Sequence, residues 1–199
     1  TKARGAAVRE HEQGVPFLFY NWNKYVNRNN PNETIDLSGR WNDSDSRLVS
    51  EEMIGDLLTS AWIPRYLKAN DKRPVVVVGL VENKSHEHIN SETFIKDVEK
   101  AIIRDGNIRL VVAGEKRNEL RKERAEQQDY ASPETTKKWG KELGADFILQ
   151  GTINSIVDSY KKQKVVTYQI DLQLTNIETN EVVWMGDKKI KKQISDRVL

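Results

Sequence analysis

Four consecutive valines in the stretch RPVVVVGLVEN constrain this chain more than any other feature. Successive side chains of a strand point to opposite faces of its sheet, so Val75–Val78 are apolar on both faces at once. β-branched residues also pack better on a pleated surface than in a helix. The run therefore predicts a strand over 75–81 that is buried on both faces and lies inside the sheet.

The C-terminal third carries the other strand pattern. In KVVTYQIDLQLTNI, Val166, Tyr168, Ile170, Leu172 and Leu174 alternate with Thr167, Gln169, Asp171 and Gln173. This predicts a strand over 164–176 with one face buried and one solvated. The stretches 145–157 and 181–191 flank it, and the joints SYKKQ and ETN make the three an antiparallel meander. Lys188, Lys189, Lys191 and Lys192 are placed to guard an edge strand. A short strand is predicted over 108–112.

Helical periodicity fills the gaps. Val49, Met53, Leu57 and Ala61 recur every fourth residue, as do Ile54, Leu58 and Trp62. They predict a helix from Ser46, capped by Asp45 or Ser46, with Pro64 ending it or starting a new turn. Asn90 or Ser91 caps a second helix with Phe94, Ile95, Val98 and Ile102 on its face, and Gly106 stands at its C-terminal stop. Strand, helix and strand in this order predict a parallel pair with a right-handed crossover. The charged stretch EKRNELRKERAEQQ reads as an exposed helix. In SPETTKKWGKELG, Ser132 caps, Pro133 takes the first position, Trp139 and Leu143 point inward and Gly144 stops the helix. Trp41, Trp62, Trp139 and Trp184 are expected to be mostly buried and structural. The fold class is thus α/β, with a mixed, largely antiparallel sheet of about five strands flanked by helices.

Residues 1–36 differ from the rest. They include VPFLFYNWNKY and the loop-like NRNNPNE, and read as an arm or linker, either docked on the 37–199 domain or left as a tail. An aromatic partner-binding segment is the alternative. The sequence begins TKARGAAVRE without Met, which leads us to expect a piece of a longer chain, with any targeting segment outside it. No stretch approaches the ~20 apolar residues of a membrane-spanning helix.

Chemistry is harder to find than structure. With no cysteine, the chain has no disulfide, thiolate nucleophile or cysteine-bound zinc. A net charge of +2 from 32 basic and 30 acidic residues gives no reason to invoke nucleic acid. Phosphate-binding glycine motifs and G-x-S-x-G are absent. Asp43 and Asp45 have the spacing of a calcium loop, but Arg47, Leu48 and Ile54 stand where an oxygen ligand, a glycine and a glutamate belong. His86 and His88 fall on one side of an extended segment, yet a zinc site needs a further ligand. Neither a metal nor a cofactor is predicted. The polar loop Glu82–His88, with Glu82, Asn83, His86 and His88, and the charged stretch with Arg117, Arg121 and Arg124 are left as candidate partner-binding surfaces.

Four segments then read together: LSGRWNDSDSRLVSEEMI, RPVVVVGLVENKSHEHINSETFIKDVEKAI, ELRKERAEQQDYASPETTKKWGKELGADFILQGTI and YQIDLQLTNIETNEVVWMGDKKIKK. From Leu37 to Lys192 the chain resembles the LpoB-type penicillin-binding-protein activators. The resemblance implies a small α/β fold related to the periplasmic component of curli export and to the N-terminal domain of TolB. It implies no enzyme, but a periplasmic lipoprotein, held in the outer membrane by an N-terminal lipid, that activates a class A penicillin-binding protein and so regulates peptidoglycan synthesis. The lipid-bearing cysteine of that family is missing from this sequence, and so is the long Pro- and Gln-rich tether of some members. The alternative is a structural or secretion-related envelope lipoprotein that works through self-assembly.

Overall fold

The computed structural model describes residues 38–114, 138, 140–161 and 163–195. Its elements follow the order α1 (Asp43–Thr59), α2 (Trp62–Asn70), β1 (Val75–Asn83), α3 (Ser91–Asp105), β2 (Arg109–Val111), β3 (Phe147–Tyr160), β4 (Gln163–Asn176) and β5 (Val182–Ser195). The strands form one sheet in the order β2-β1-β3-β4-β5. β1 runs parallel to both β2 and β3, and the β3-β4-β5 meander is antiparallel. This is the mixed, largely antiparallel α/β sheet that the alternation predicts.

The valine run behaves as its composition requires. Val76 and Val78 enter the large core with α1, α2 and α3, while Val75 and Val77 enter a second apolar cluster on the opposite face with Leu80, Ala145, Ile148 and Ile177. Over Val75–Val81 neither face of β1 meets water, and neither carries a polar side chain; the polar Glu82 and Asn83 come only where the strand emerges. Along β4 only one set is buried. Val166, Tyr168, Ile170, Leu172 and Leu174 are fully covered, and their neighbours are not.

Helix boundaries show where local chemistry decides. α1 begins at Asp43, three residues earlier than the apolar periodicity predicts. Its cap is Asn42, whose side chain accepts from the Asp45 N–H at 3.1 Å, while Asp45 Oδ2 accepts from the Asn42 N–H at 2.9 Å. This reciprocal pair satisfies two orphan donors, which one serine hydroxyl at position 46 would not do. α1 ends at Thr59, and Pro64 lies in the first turn of α2, where its missing N–H costs nothing. α3 is capped by Asn90, whose Oδ1 accepts from the Glu92 N–H at 3.0 Å, and stops at Gly106 with φ +77°, a left-handed conformation that glycine adopts freely.

One expectation needs correction. Of the four edge-strand lysines, only Lys189 and Lys191 point into solvent. Lys188 and Lys192 lie on the core side of β5, where Lys188 pairs with Glu52 at 2.5 Å and Lys192 with Asp45 at 2.5 Å. Residues 188 and 192 share the parity of the buried Trp184, so they face α1. Trp62 and Trp184 are buried as expected, and Trp41, partly buried, packs against the large core. Trp139, the arm over 1–36, the helix expected over 115–128 and the start of the helix expected from Ser132 lie outside the described residues, while the described end of the latter is helical over 140–142 and Gly144 follows at φ +65°.

Candidate functional site

The candidate partner-binding residues of the 82–88 loop lie together at the C-terminal end of β1. Glu82 and Asn83 are its last residues, and Glu82 pairs with Lys84 at 3.4 Å. The Asn83 side chain organises the turn beyond. Its Nδ2 donates to the Glu87 carbonyl at 2.8 Å, and its Oδ1 accepts from the Ser85 N–H at 3.0 Å and the Ser85 hydroxyl at 2.6 Å. An asparagine that bonds its own downstream backbone holds a turn without needing glycine. Asn83 is therefore a brace for the loop rather than a free contact residue.

His86 ties the loop to β3. Its N–H donates to Ser155 Oγ at 2.9 Å, its Nδ1 lies 2.6 Å from the same oxygen, and its Nε2 lies 3.3 Å from Glu87 Oε1. The ring stacks on Tyr168 with centroids 6.4 Å apart. Both ring nitrogens are engaged, and about a third of the side chain stays accessible. His88 is exposed and takes no part in this network. The histidine pair thus divides into one anchored ring and one exposed one. No group of three or more His, Asp or Glu suited to a metal occurs among the described residues.

Glu87 carries the network to the segment before α1. Its Oε2 accepts from the Trp41 N–H at 3.2 Å. The Trp41 ring meets Phe94 and Tyr168 edge-on, at 6.3 and 5.6 Å between centroids. These geometries suit aromatic quadrupoles. Tyr168 lies beneath all of them. Its hydroxyl is buried and no hydrogen bond of good geometry closes on it among the described residues. Burial, and then the Glu87 carboxylate beside it, push its ionisation well above the ordinary tyrosine value. The Trp41–Arg47 run is thus a clasp. Glu87 holds it from the loop side, and Lys192 holds it from β5 by donating to the Arg40 carbonyl at 2.8 Å and to Asp45.

Sequence reasoning placed the loop but missed Ser155 and Tyr168 as its partners, and Lys192 as the partner of Arg40 and Asp45. Ser155 lies 69 positions from His86, and no local spacing signals such a contact. Arg117, Arg121 and Arg124 lie outside the described residues.

A mixed sheet with α1, α2 and α3 packed on one face, and a side-chain clasp joining the first helix, the 82–88 loop and the last strand, define a small α/β domain with a braced polar end. The chain belongs to the family described as the peptidoglycan-synthase activator LpoB, whose model matches residues 45–190. Among solved structures, the LpoB C-terminal domain from Escherichia coli is 16% identical, with a TM-score of 0.47 over 77% of this chain and 98% of that one. The NMR structure of E. coli LpoB is 15% identical, with a TM-score of 0.46 over 96% of this chain and 90% of that one. A lipoprotein from Neisseria meningitidis, GNA1162, is 15% identical, with a TM-score of 0.45 over 60% and 83%. At these scores the family assignment rests on the sequence match. No curated protein matches the chain.

Proposed function

We propose that this protein is a non-enzymatic periplasmic lipoprotein, anchored in the outer membrane, that binds a class A penicillin-binding protein and raises its rate of peptidoglycan synthesis. The observation that carries this reading is the match of residues 45–190 to a family of peptidoglycan-synthase activators. The loop geometry agrees with a binding role. Asn83, His86 and Glu87 spend their polar atoms on fixing the loop, which leaves a preorganised surface. A surface that is already ordered loses little entropy when a partner docks. Within it, Lys84, His86 and His88 are exposed, and Glu82 flanks them. Arg117, Arg121 and Arg124 are proposed as further contacts, because arginine concentrates binding energy at interfaces.

The test is binding of the full-length lipoprotein to each class A synthase of its own organism, with His86→Ala, Arg121→Ala and Arg124→Ala as variants. A saturable complex weakened by these changes supports the reading. A complex indifferent to all three moves the interface elsewhere, and no complex at all removes the activator function.

Self-assembly through strand edges is the second reading. It draws on the outer edge of β5, which has no neighbouring strand among the described residues. Lys189 and Lys191 on that strand weigh against self-pairing, because exposed lysines are a common block to edge association.

A further inference from the structure

β5 is the last strand of the sheet, and its outer edge has no neighbouring strand among the described residues. Such an edge presents a row of unpaired N–H and C=O groups. The lysines that guard it all fall from position 188 onward. Residues 182–187 carry no lysine, and among them Val182 is 42% exposed and Met185 68%. The guard therefore stops where the apolar part of the edge lies. A cavity of about 340 Å³ opens against this same stretch. Residues 184–188 of β5 form one wall, and Glu52, Met53 and Asp56 of α1 form the other. The volume is within the ~300–1,000 Å³ range of ligand pockets.

The strand wall is shaped by Gly186. A Cβ there would strike the Trp184 ring, so the glycine lets the indole lie along the strand. Glycine inside a strand also marks places where another backbone comes close. Trp184 Nε1 donates to Asp56 Oδ2 at 2.9 Å and so fixes that carboxylate in the α1 wall. Of the charged groups lining the cavity, Glu52 and Lys188 answer each other at 2.5 Å. Asp187 has the opposite parity to Trp184 and stands on the rim, with Lys189 two residues on. Asp56 is the carboxylate on the α1 side with no ion pair among the described residues. It lies in the last turn of α1, which holds no basic residue. The helix dipole is negative at that end, so a carboxylate there is unfavourable until a cation joins it.

We propose that the cavity and the unguarded β5 edge beside it form one docking groove for an extended, basic segment of the synthase. The proposal rests on the reading that the partner is a peptidoglycan synthase. The segment's backbone pairs with β5 over 182–187, and one of its arginines or lysines enters the cavity against Asp56. Strand addition divides the work in this way, with main-chain hydrogen bonds giving affinity and a side-chain pocket giving specificity. Trp184 engages Asp56 Oδ2 and leaves Oδ1 for the incoming cation. Charge also separates this occupant from a second copy of the chain. A two-fold pair of β5 edges would set Asp56 and its own copy on one groove, which is repulsive.

The experiment measures binding of the full-length lipoprotein to a purified class A synthase of its own organism at low and high salt, with the mass of the lipoprotein alone followed by light scattering. Asp56→Asn removes the charge and keeps an oxygen for the Trp184 N–H. Met185→Lys carries the lysine guard across the free part of the edge. Both positions are exposed, and circular dichroism checks that the variants fold. The expected result is synthase binding that falls at least about tenfold in each variant and is less sensitive to salt in Asp56→Asn than in the wild type. If the synthase binds and either variant binds it as well as the wild type does, the groove is overturned while the activator function stands. If no synthase binds, both fall together. If the lipoprotein alone is a dimer that these variants dissociate, the groove joins two copies and the proposal is overturned.

Discussion

Lys192 places its ammonium 2.5 Å from the Asp45 carboxylate, across 147 residues of sequence, with each side chain about nine-tenths buried. Lys192 also donates to the Arg40 carbonyl, and Asp45 also accepts from the Asn42 N–H. One ion pair therefore fixes the start of α1 against the last strand. Removing one partner leaves the other charge buried and alone, so Lys192→Ala should cost about 3–5 kcal/mol. The double change Asp45→Asn with Lys192→Met should cost clearly less, because no charge is stranded. Urea titrations of the three proteins check this. Equal losses in the single and double variants would mean that packing, not charge, holds the clasp.

Trp62 is the best-packed tryptophan described. It is 6% exposed, its Nε1 donates to the Leu57 carbonyl at 2.9 Å, and its ring meets Phe147 edge-on at 5.1 Å. Trp62→Ala should cost about 3–5 kcal/mol in chemical denaturation. A loss below about 1 kcal/mol would show that α2 is not part of the cooperative core.

The strands were the most legible part of this chain. Val75–Val78 could be buried on two faces only inside a sheet, and the β4 alternation could be satisfied only with one face in water. Both patterns are local, and the local pattern decides them. The start of α1 was harder because Asn42, Ser44, Asp45 and Ser46 are all capping residues. The winner is the one with an acidic residue three positions on, a pair that was present in the sequence but not weighed. The clasp was not legible. Glu87 to Trp41, His86 to Ser155 and Lys192 to Asp45 are separated by 46, 69 and 147 residues, and each looks locally like a solvated polar residue.

Tyr168 offers a test of the clasp's interior. Its hydroxyl is buried and no hydrogen bond of good geometry closes on it among the described residues, so its desolvation is offset only weakly. Tyr168→Phe should leave stability unchanged or raise it by up to about 1 kcal/mol. A loss of more than that in a thermal or urea melt would show that the hydroxyl donates to Glu87 in solution.

Asp146 sets an acid limit. Burial alone would raise its carboxyl, but the Val75 N–H at 2.9 Å, the Tyr66 hydroxyl and Lys72 at 3.2 Å outweigh it and hold the group below the usual aspartate value. A carboxyl lowered on folding stabilises the native state fully above the unfolded value of about 3.9, and that contribution is lost as the pH falls through the folded value. Stability of the wild type should therefore fall below about pH 4, and Asp146→Asn should be the less stable protein at pH 7. The gap between the two should narrow in acid. Melts from pH 7 to pH 2.5 check it, and a gap that stays constant would refute the assignment.

The central claim is that this protein activates a peptidoglycan synthase by binding it. The most direct measurement is the initial rate of glycan polymerisation by a purified class A synthase of the same organism, with and without the full-length lipoprotein at saturation. The account predicts a faster rate with the lipoprotein, and a smaller acceleration with His86→Ala, Arg121→Ala and Arg124→Ala together. A rate unchanged by the wild-type lipoprotein, for every class A synthase of that organism, would contradict it.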